Sequence, residues 1–166
     1  MKIVIQVGLI IALFLYLAVL SKLILFKYSS VSYLINDFTF SYSEYYWNSH
    51  NFIPFKTITY YLFLANDINF SIRVDNLAGN VIGFIPFGFI FPLLSSKFFN
   101  LKKVIIATFC LSLIFELVQM IFMLGSFDVD DLILNTLGGM IGFIPIKLGS
   151  IIKSKYIPIK ETDCDS

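Results

Sequence analysis

Four stretches of the chain stay apolar long enough to cross roughly 30 Å of hydrocarbon at about 1.5 Å of helix per residue. The first runs from Ile3 to Leu20, and to Phe26 if Ser21 and Lys22 sit at the interface. It follows Met1-Lys2 as a secretion signal would, but the apolar run is long and no small-residue cleavage site follows, so it reads as an uncleaved anchor. The others run from Leu77 to Leu94, from Val104 to Leu124 and from Leu132 to Ile152. The last is rich in Gly and interrupted by Pro145 and Lys147. The pattern predicts an all-α integral membrane protein of about four transmembrane helices, with one transmembrane domain over residues 1–152 and a short polar tail over 153–166.

Residues 27–76 lie between the first two spans and are crowded with Tyr and Phe, with Trp47 the single tryptophan. The segment is too polar to span. Its aromatic rings suit the headgroup layer, since they are apolar at one end and hydrogen-bonding at the other. It reads as an extracellular cap lying on the membrane, with Thr57–Ala65 an interfacial or re-entrant helix at most.

Charge sets the orientation. Lys2, the Lys97–Lys103 loop and the tail lysines Lys147, Lys153, Lys155 and Lys160 fall on one side of a four-span bundle. The 125–131 loop carries three aspartates and no cation. Both termini are therefore expected in the cytoplasm, with the aromatic cap and the acidic loop outside. Lys22, Lys27, Lys56 and Arg73 oppose this, diluted by Asp37, Glu44, Asp67 and Asp75.

Composition agrees with a bilayer as solvent. Of 166 residues only 14% are charged and 58% are hydrophobic, and the mean hydropathy is +0.85. A net charge of +1 and the lack of a basic stripe argue against a nucleic-acid partner. Cys110 in an apolar run and Cys164 in the tail do not suggest a disulfide, and His50 alone builds no histidine metal site.

Polar residues inside the spans carry the candidate chemistry, because an ionisable group there faces the bundle interior and has a partner or a task. On the third span Ser112, Glu116 and Gln119 recur at i, i+4 and i+7, and Thr108 extends the same face. Glu116 lies about 12 Å below the outer end of that span. A buried clasp between helices and a functional carboxylate are both compatible with this stripe.

The second span opens with Asp75-Asn76-Leu77 and reaches Asn80 and Gly83, and the fourth opens with Asp130-Asp131-Leu132 and reaches Asn135 and Gly138. Both fit D-[ND]-L-x-x-N-x-x-G, and each later reads Gly-Phe-Ile-Pro. The repeat points to two pseudo-symmetric helical hairpins, as in some transporters. Capping explains one acid per helix start. Gly79-x-x-x-Gly83 and Gly138-x-x-x-Gly142 are expected to bring helix backbones together, and Pro86 and Pro145 to kink their helices.

Binding residues are therefore expected to be Asn76, Asn80, Glu116, Gln119, Asp128, Asp131 and Asn135, converging on an outward-facing acidic pocket. Asp128, Asp130 and Asp131 are candidate ligands for a divalent cation. Glu116 is the candidate catalytic group. Asp131 and Asn135, one turn apart, form the pair expected to matter most.

Several motifs in this order resemble the VanZ-like family of bacterial membrane proteins. They are Asn51-Phe52-Ile53-Pro54-Phe55, then Asn76-x-x-Gly79-Asn80, Phe84-Ile85-Pro86-Phe87-Gly88, Ser112-x-x-x-Glu116-x-x-Gln119, and Asp128-x-Asp130-Asp131-x-x-x-Asn135-x-x-Gly138-Gly139-x-x-Gly142. Where many members place an Arg before the Asp motif, this chain has Gly125, which implies a more negative pocket, suited to a cation or a cationic ligand. The resemblance implies lowered susceptibility to teicoplanin and similar lipid-tailed glycopeptides, without a defined reaction.

Three functions compete. The preferred one is non-enzymatic binding of a lipid-linked cell-wall precursor or of the lipoglycopeptide itself. The second is an intramembrane enzyme using Glu116 or the aspartates, for which no nucleophile–base pair is legible beyond Ser112 beside Glu116. The third is a small transporter, which would need a homo-oligomer to enclose a path.

Overall fold

The computed structural model describes residues 2–25, 49–64 and 69–156. The expectations about Trp47, most of the cap and the end of the tail lie outside them, as does the side chain of Asp75. Four helices are long and apolar enough to cross a membrane. They are α1 (Lys2–Leu25), α3 (Phe70–Leu93), α4 (Leu101–Ile121) and α5 (Val129–Tyr156). A short α2 (Lys56–Thr59) runs directly into a π-helical turn, Tyr60–Leu64, between α1 and α3. A 3₁₀ turn, Ser96–Phe98, joins α3 to α4.

Helix starts follow their capping side chains. Asn69 accepts a hydrogen bond from Ser71 N, so α3 begins at Phe70, earlier than the Leu77 start read from the sequence. The Asp75-Asn76 pair therefore lies within the helix and not at its cap. Arg73 is accommodated there because its guanidinium donates to the carbonyls of Tyr61 and Leu62 at 2.5 and 2.8 Å. Asn100 caps α4 through Lys102 N. At its other end α5 continues past Lys153 to Tyr156, beyond the expected stop at Ile152. Both α3 and α5 remain helical through Pro86, Pro92 and Pro145.

The most extensive helix pair is α3 with α5, followed by α4 with α5, while α1 meets the bundle thinly. Glycine makes the first contact possible. A Cβ on Gly138 would lie 2.1 Å from Val81 O, one on Gly142 2.1 Å from Ile85 O, and one on Gly88 2.0 Å from Gly139 O. The backbones touch at a spacing that only glycine permits. The expected partner motif does not share this role. A Cβ on Gly79 would meet nothing within 4 Å, and one on Gly83 would meet only Leu20 Cδ1 at 3.6 Å. Gly83 instead accepts a 2.6 Å hydrogen bond at its carbonyl from the Tyr16 hydroxyl, tying α1 to α3. The two hairpins thus pack unequally: α5 lies firmly on α4, and α1 rests on α3 and α4 through the Leu20, Phe84 and Phe115 cluster. Most other large side chains of α1 are exposed, from Ile3 to Leu23, and present an apolar surface that suits lipid.

Candidate functional site

The polar stripe of α4 is buried along its length, and three of its four residues each tie down a different neighbour. Thr108 donates to its own helix at Val104 O. Ser112 accepts from Asn135 Nδ2 of α5 at 2.7 Å. Glu116 accepts from the backbone N–H of Asp128 at 2.8 Å. Gln119 donates to Ile24 O near the end of α1 at 3.1 Å. One helix face therefore positions α5, the loop before it, and α1.

The loop before α5 also receives the segment that precedes α3. Asn51 and Asp128 pair as a parallel β-bridge, the one β contact among the described residues. Asn51 N donates to Phe127 O at 2.8 Å and Val129 N to Asn51 O at 3.0 Å. The Asn51 amide reaches Asp128 Oδ1 at 2.8 Å, and the Thr57 hydroxyl donates to Asp128 Oδ2 at 2.6 Å. Asp128 also caps α5 through Asp130 N.

Asp130 is fully buried. Its carboxylate accepts from the backbone N–H groups of Phe55, Thr57 and Ile58, and so sits at the N-terminus of α2. Phe55 at φ 66° adopts the left-handed conformation, which costs a non-glycine residue about 1–2 kcal/mol. That turn aims its N–H at Asp130. Phe52 stacks on Phe127 with ring centroids 5.2 Å apart.

The imidazole of His50 completes the dock. Its Nδ1 accepts from Phe127 N at 2.9 Å, which requires the neutral ring. Burial holds its pKa below the ordinary 6.5. The native state then binds fewer protons than the undocked one between the two values, so stability rises with pH. The His50 contribution should be complete above about pH 6.5 and fall away as pH drops through the lowered pKa. Melting of the purified protein at neutral and mildly acidic pH should show this loss. His50→Asn, whose side-chain oxygen can accept the same N–H, should remove that part of the pH dependence.

The docked segment roofs a cavity of about 520 Å³. Its walls include Asn76, Asn80, Glu116, Gln119, Asp128, Asp131 and Asn135, the binding residues expected from sequence, now drawn from α3, α4, α5 and the intervening loop. Asn80 Nδ2 donates to Asp131 Oδ1 at 2.5 Å across the α3–α5 contact. The roof adds Ser49, His50, Lys56, Thr57, Tyr60 and Tyr61, and Leu20, Leu23, Ile24, Leu77, Phe84 and Leu134 give an apolar side.

The three aspartates take separate directions. Asp130 turns under α2 and does not line the cavity, Asp128 is occupied by neutral donors, and Asp131 pairs with Asn80. Among the described residues no three His, Cys, Asp or Glu side chains are grouped to hold a metal ion. The sequence reading missed His50, Lys56, Thr57, Tyr60 and Tyr61. The Asn51–Phe55 motif was the one signal that this segment carries fixed structure.

A family model described as VanZ/LLP1 matches residues 13–151. Protein VanZ of Enterococcus faecium is 36% identical over 128 residues, which cover 77% of this chain and 66% of that protein, just under two thirds of its length. No solved structure matches.

Proposed function

The chain belongs to the VanZ/LLP1 family, and from that premise we propose that it lowers susceptibility to teicoplanin and related lipid-tailed glycopeptides by binding, not by catalysis. In this reading the ligand is an envelope lipid or the antibiotic, held in the cavity beneath the docked segment. The observation that carries it is the lining: carboxylates and amides on one side and Leu, Ile and Phe side chains on the other suit an amphiphile. Lys97, Lys102 and Lys103 lie beyond the far end of α3 from Asn76 and Asn80. The positive-inside rule then puts that end in the cytoplasm and opens the cavity outward.

Ser112 favours binding over chemistry. It does not line the cavity, and its oxygen accepts the Asn135 amide while Glu116 accepts a backbone N–H from the loop. The nearest approach to a nucleophile–base pair is thus engaged elsewhere.

The test compares cells lacking the gene with cells re-expressing it, scored for growth inhibition by teicoplanin and by a glycopeptide without an acyl tail. Wild type should protect against the first selectively. Asp131→Asn and Glu116→Gln should return cells to the level of the empty strain at matched membrane abundance. Full protection by Glu116→Gln would reduce this carboxylate to a packing clasp, and full protection by both would remove the cavity from the function.

A further inference from the structure

The cavity also limits what enters it. At about 520 Å³ it has the volume of a drug-sized site. A cross-linked glycopeptide carrying sugars is several times larger than such a site. The polar wall is rich in acceptors, with the carboxylates of Asp131 and Glu116 beside the amide of Asn135. Asn135 is only 3% exposed. Its NH₂ donates to Ser112 Oγ, and its oxygen is buried with no hydrogen-bond partner. A buried carbonyl oxygen without a donor is costly, so a donor supplied by a ligand would be favoured there. The apolar wall comes mainly from α1 and α3, which meet each other far less extensively than α3 meets α5.

We infer that the cavity receives the headgroup of a membrane glycerolipid that carries hydrogen-bond donors, hydroxyl or ammonium, and that its acyl chains leave between α1 and α3. The inference rests on reading the cavity as the functional site, and it selects the lipid over the antibiotic as occupant. Asn135 accepts from the headgroup, and Leu20, Leu23, Ile24 and Phe84 flank the first part of the chains.

Gly79 supplies a variant that fills the site without touching its polar network. It lines the cavity, and a Cβ there would meet nothing within 4 Å. Gly79→Leu also replaces glycine in a helix interior with a better helix former. The experiment places the full chain in nanodiscs of phosphatidylcholine, whose headgroup has no N–H or O–H. The discs are doped in turn with phosphatidylglycerol, phosphatidylethanolamine or a glucosyl-diacylglycerol.

At least one donor lipid should raise the melting temperature by roughly 5–10 °C, the size given by a ligand far above its Kd in a chain of this length. Gly79→Leu should lose the rise. A rise with phosphatidylglycerol or the glucosyl lipid identifies hydroxyls as the donor, and one with phosphatidylethanolamine identifies the ammonium. No rise with any of the three, or an equal rise in Gly79→Leu, overturns the inference. Native mass spectrometry tests the wild type alone, with no variant needed. Retention of a donor lipid over phosphatidylcholine supports the inference, and equal retention overturns it. Lipid binding with unchanged teicoplanin susceptibility would leave this inference standing and remove the resistance reading. Susceptibility that follows Asp131→Asn without any lipid effect would do the reverse.

Discussion

Gly138→Ala and Gly142→Ala should each prevent the bundle from assembling. The added methyl on either residue would sit 2.1 Å from a backbone carbonyl oxygen of α3, at Val81 or Ile85. A flexible side chain can move away from such a contact, but a helix backbone moves only by separating the two helices. The cost should exceed the ~1–3 kcal/mol typical of overpacking a core. It falls on the most extensive contact in the protein, α3 against α5. Membrane abundance and the monodisperse fraction after detergent extraction should both collapse. Gly149→Ala is the control, because a Cβ there meets nothing within 4 Å. It should be neutral, or stabilising by up to ~1 kcal/mol through helix propensity.

Asp130→Ala should release the segment around α2 while leaving the bundle folded. The substitution strips the acceptor from the N–H groups of Phe55, Thr57 and Ile58. Hydrogen bonds to a charged group are worth ~1.5–3 kcal/mol each, and Phe55 would lose what holds its left-handed turn. The expected loss is several times the ~1 kcal/mol of an ordinary capping deletion. Tryptic cleavage after Lys56 should be faster in the variant than in the wild type. The glycine contact is untouched, so the helical signal should survive. Asp131→Asn gives the contrasting result. Its amide oxygen can still accept from Asn80, so the segment should stay docked while the proposed binding is lost. If Asp130→Ala leaves cleavage unchanged, Asp130 does not hold the segment.

These two variants mark where local pattern stops being informative. The membrane helices and the stripe Thr108, Ser112, Glu116 and Gln119 follow from helical spacing in an apolar run, and all four stripe residues are buried. The seven expected binding residues share one cavity because their helices could be aligned by polar positions alone. The functions of the acids could not be separated that way. Asp128, Asp130 and Asp131 look alike in sequence, yet Asp128 takes side-chain donors and Asp130 backbone N–H groups from the segment around α2, while Asp131 takes an amide of α3. The glycine motifs show the same limit. Gly79 and Gly138 occupy similar patterns, and only the helix opposite them makes one a contact and the other part of a cavity wall. The start of α3 was hidden because Arg73 and Asp75 resemble loop residues. The Arg73 guanidinium is satisfied by the carbonyls of Tyr61 and Leu62, partners that periodicity does not reveal.

The bridge between Asn51 and Asp128 has a consequence for the order of events at the ribosome. Asn51 leaves the exit tunnel 77 residues ahead of the carboxylate that will hold its side chain. At 5–20 residues per second that interval is roughly 4–15 s. Throughout it the segment must wait with Asp128 and Asp130 still unsynthesised while α3 and α4 enter the bilayer. The roof of the cavity is therefore among the last parts to close although it is among the first made. A chain stalled before residue 128 would hold three of its four membrane helices and no closed site.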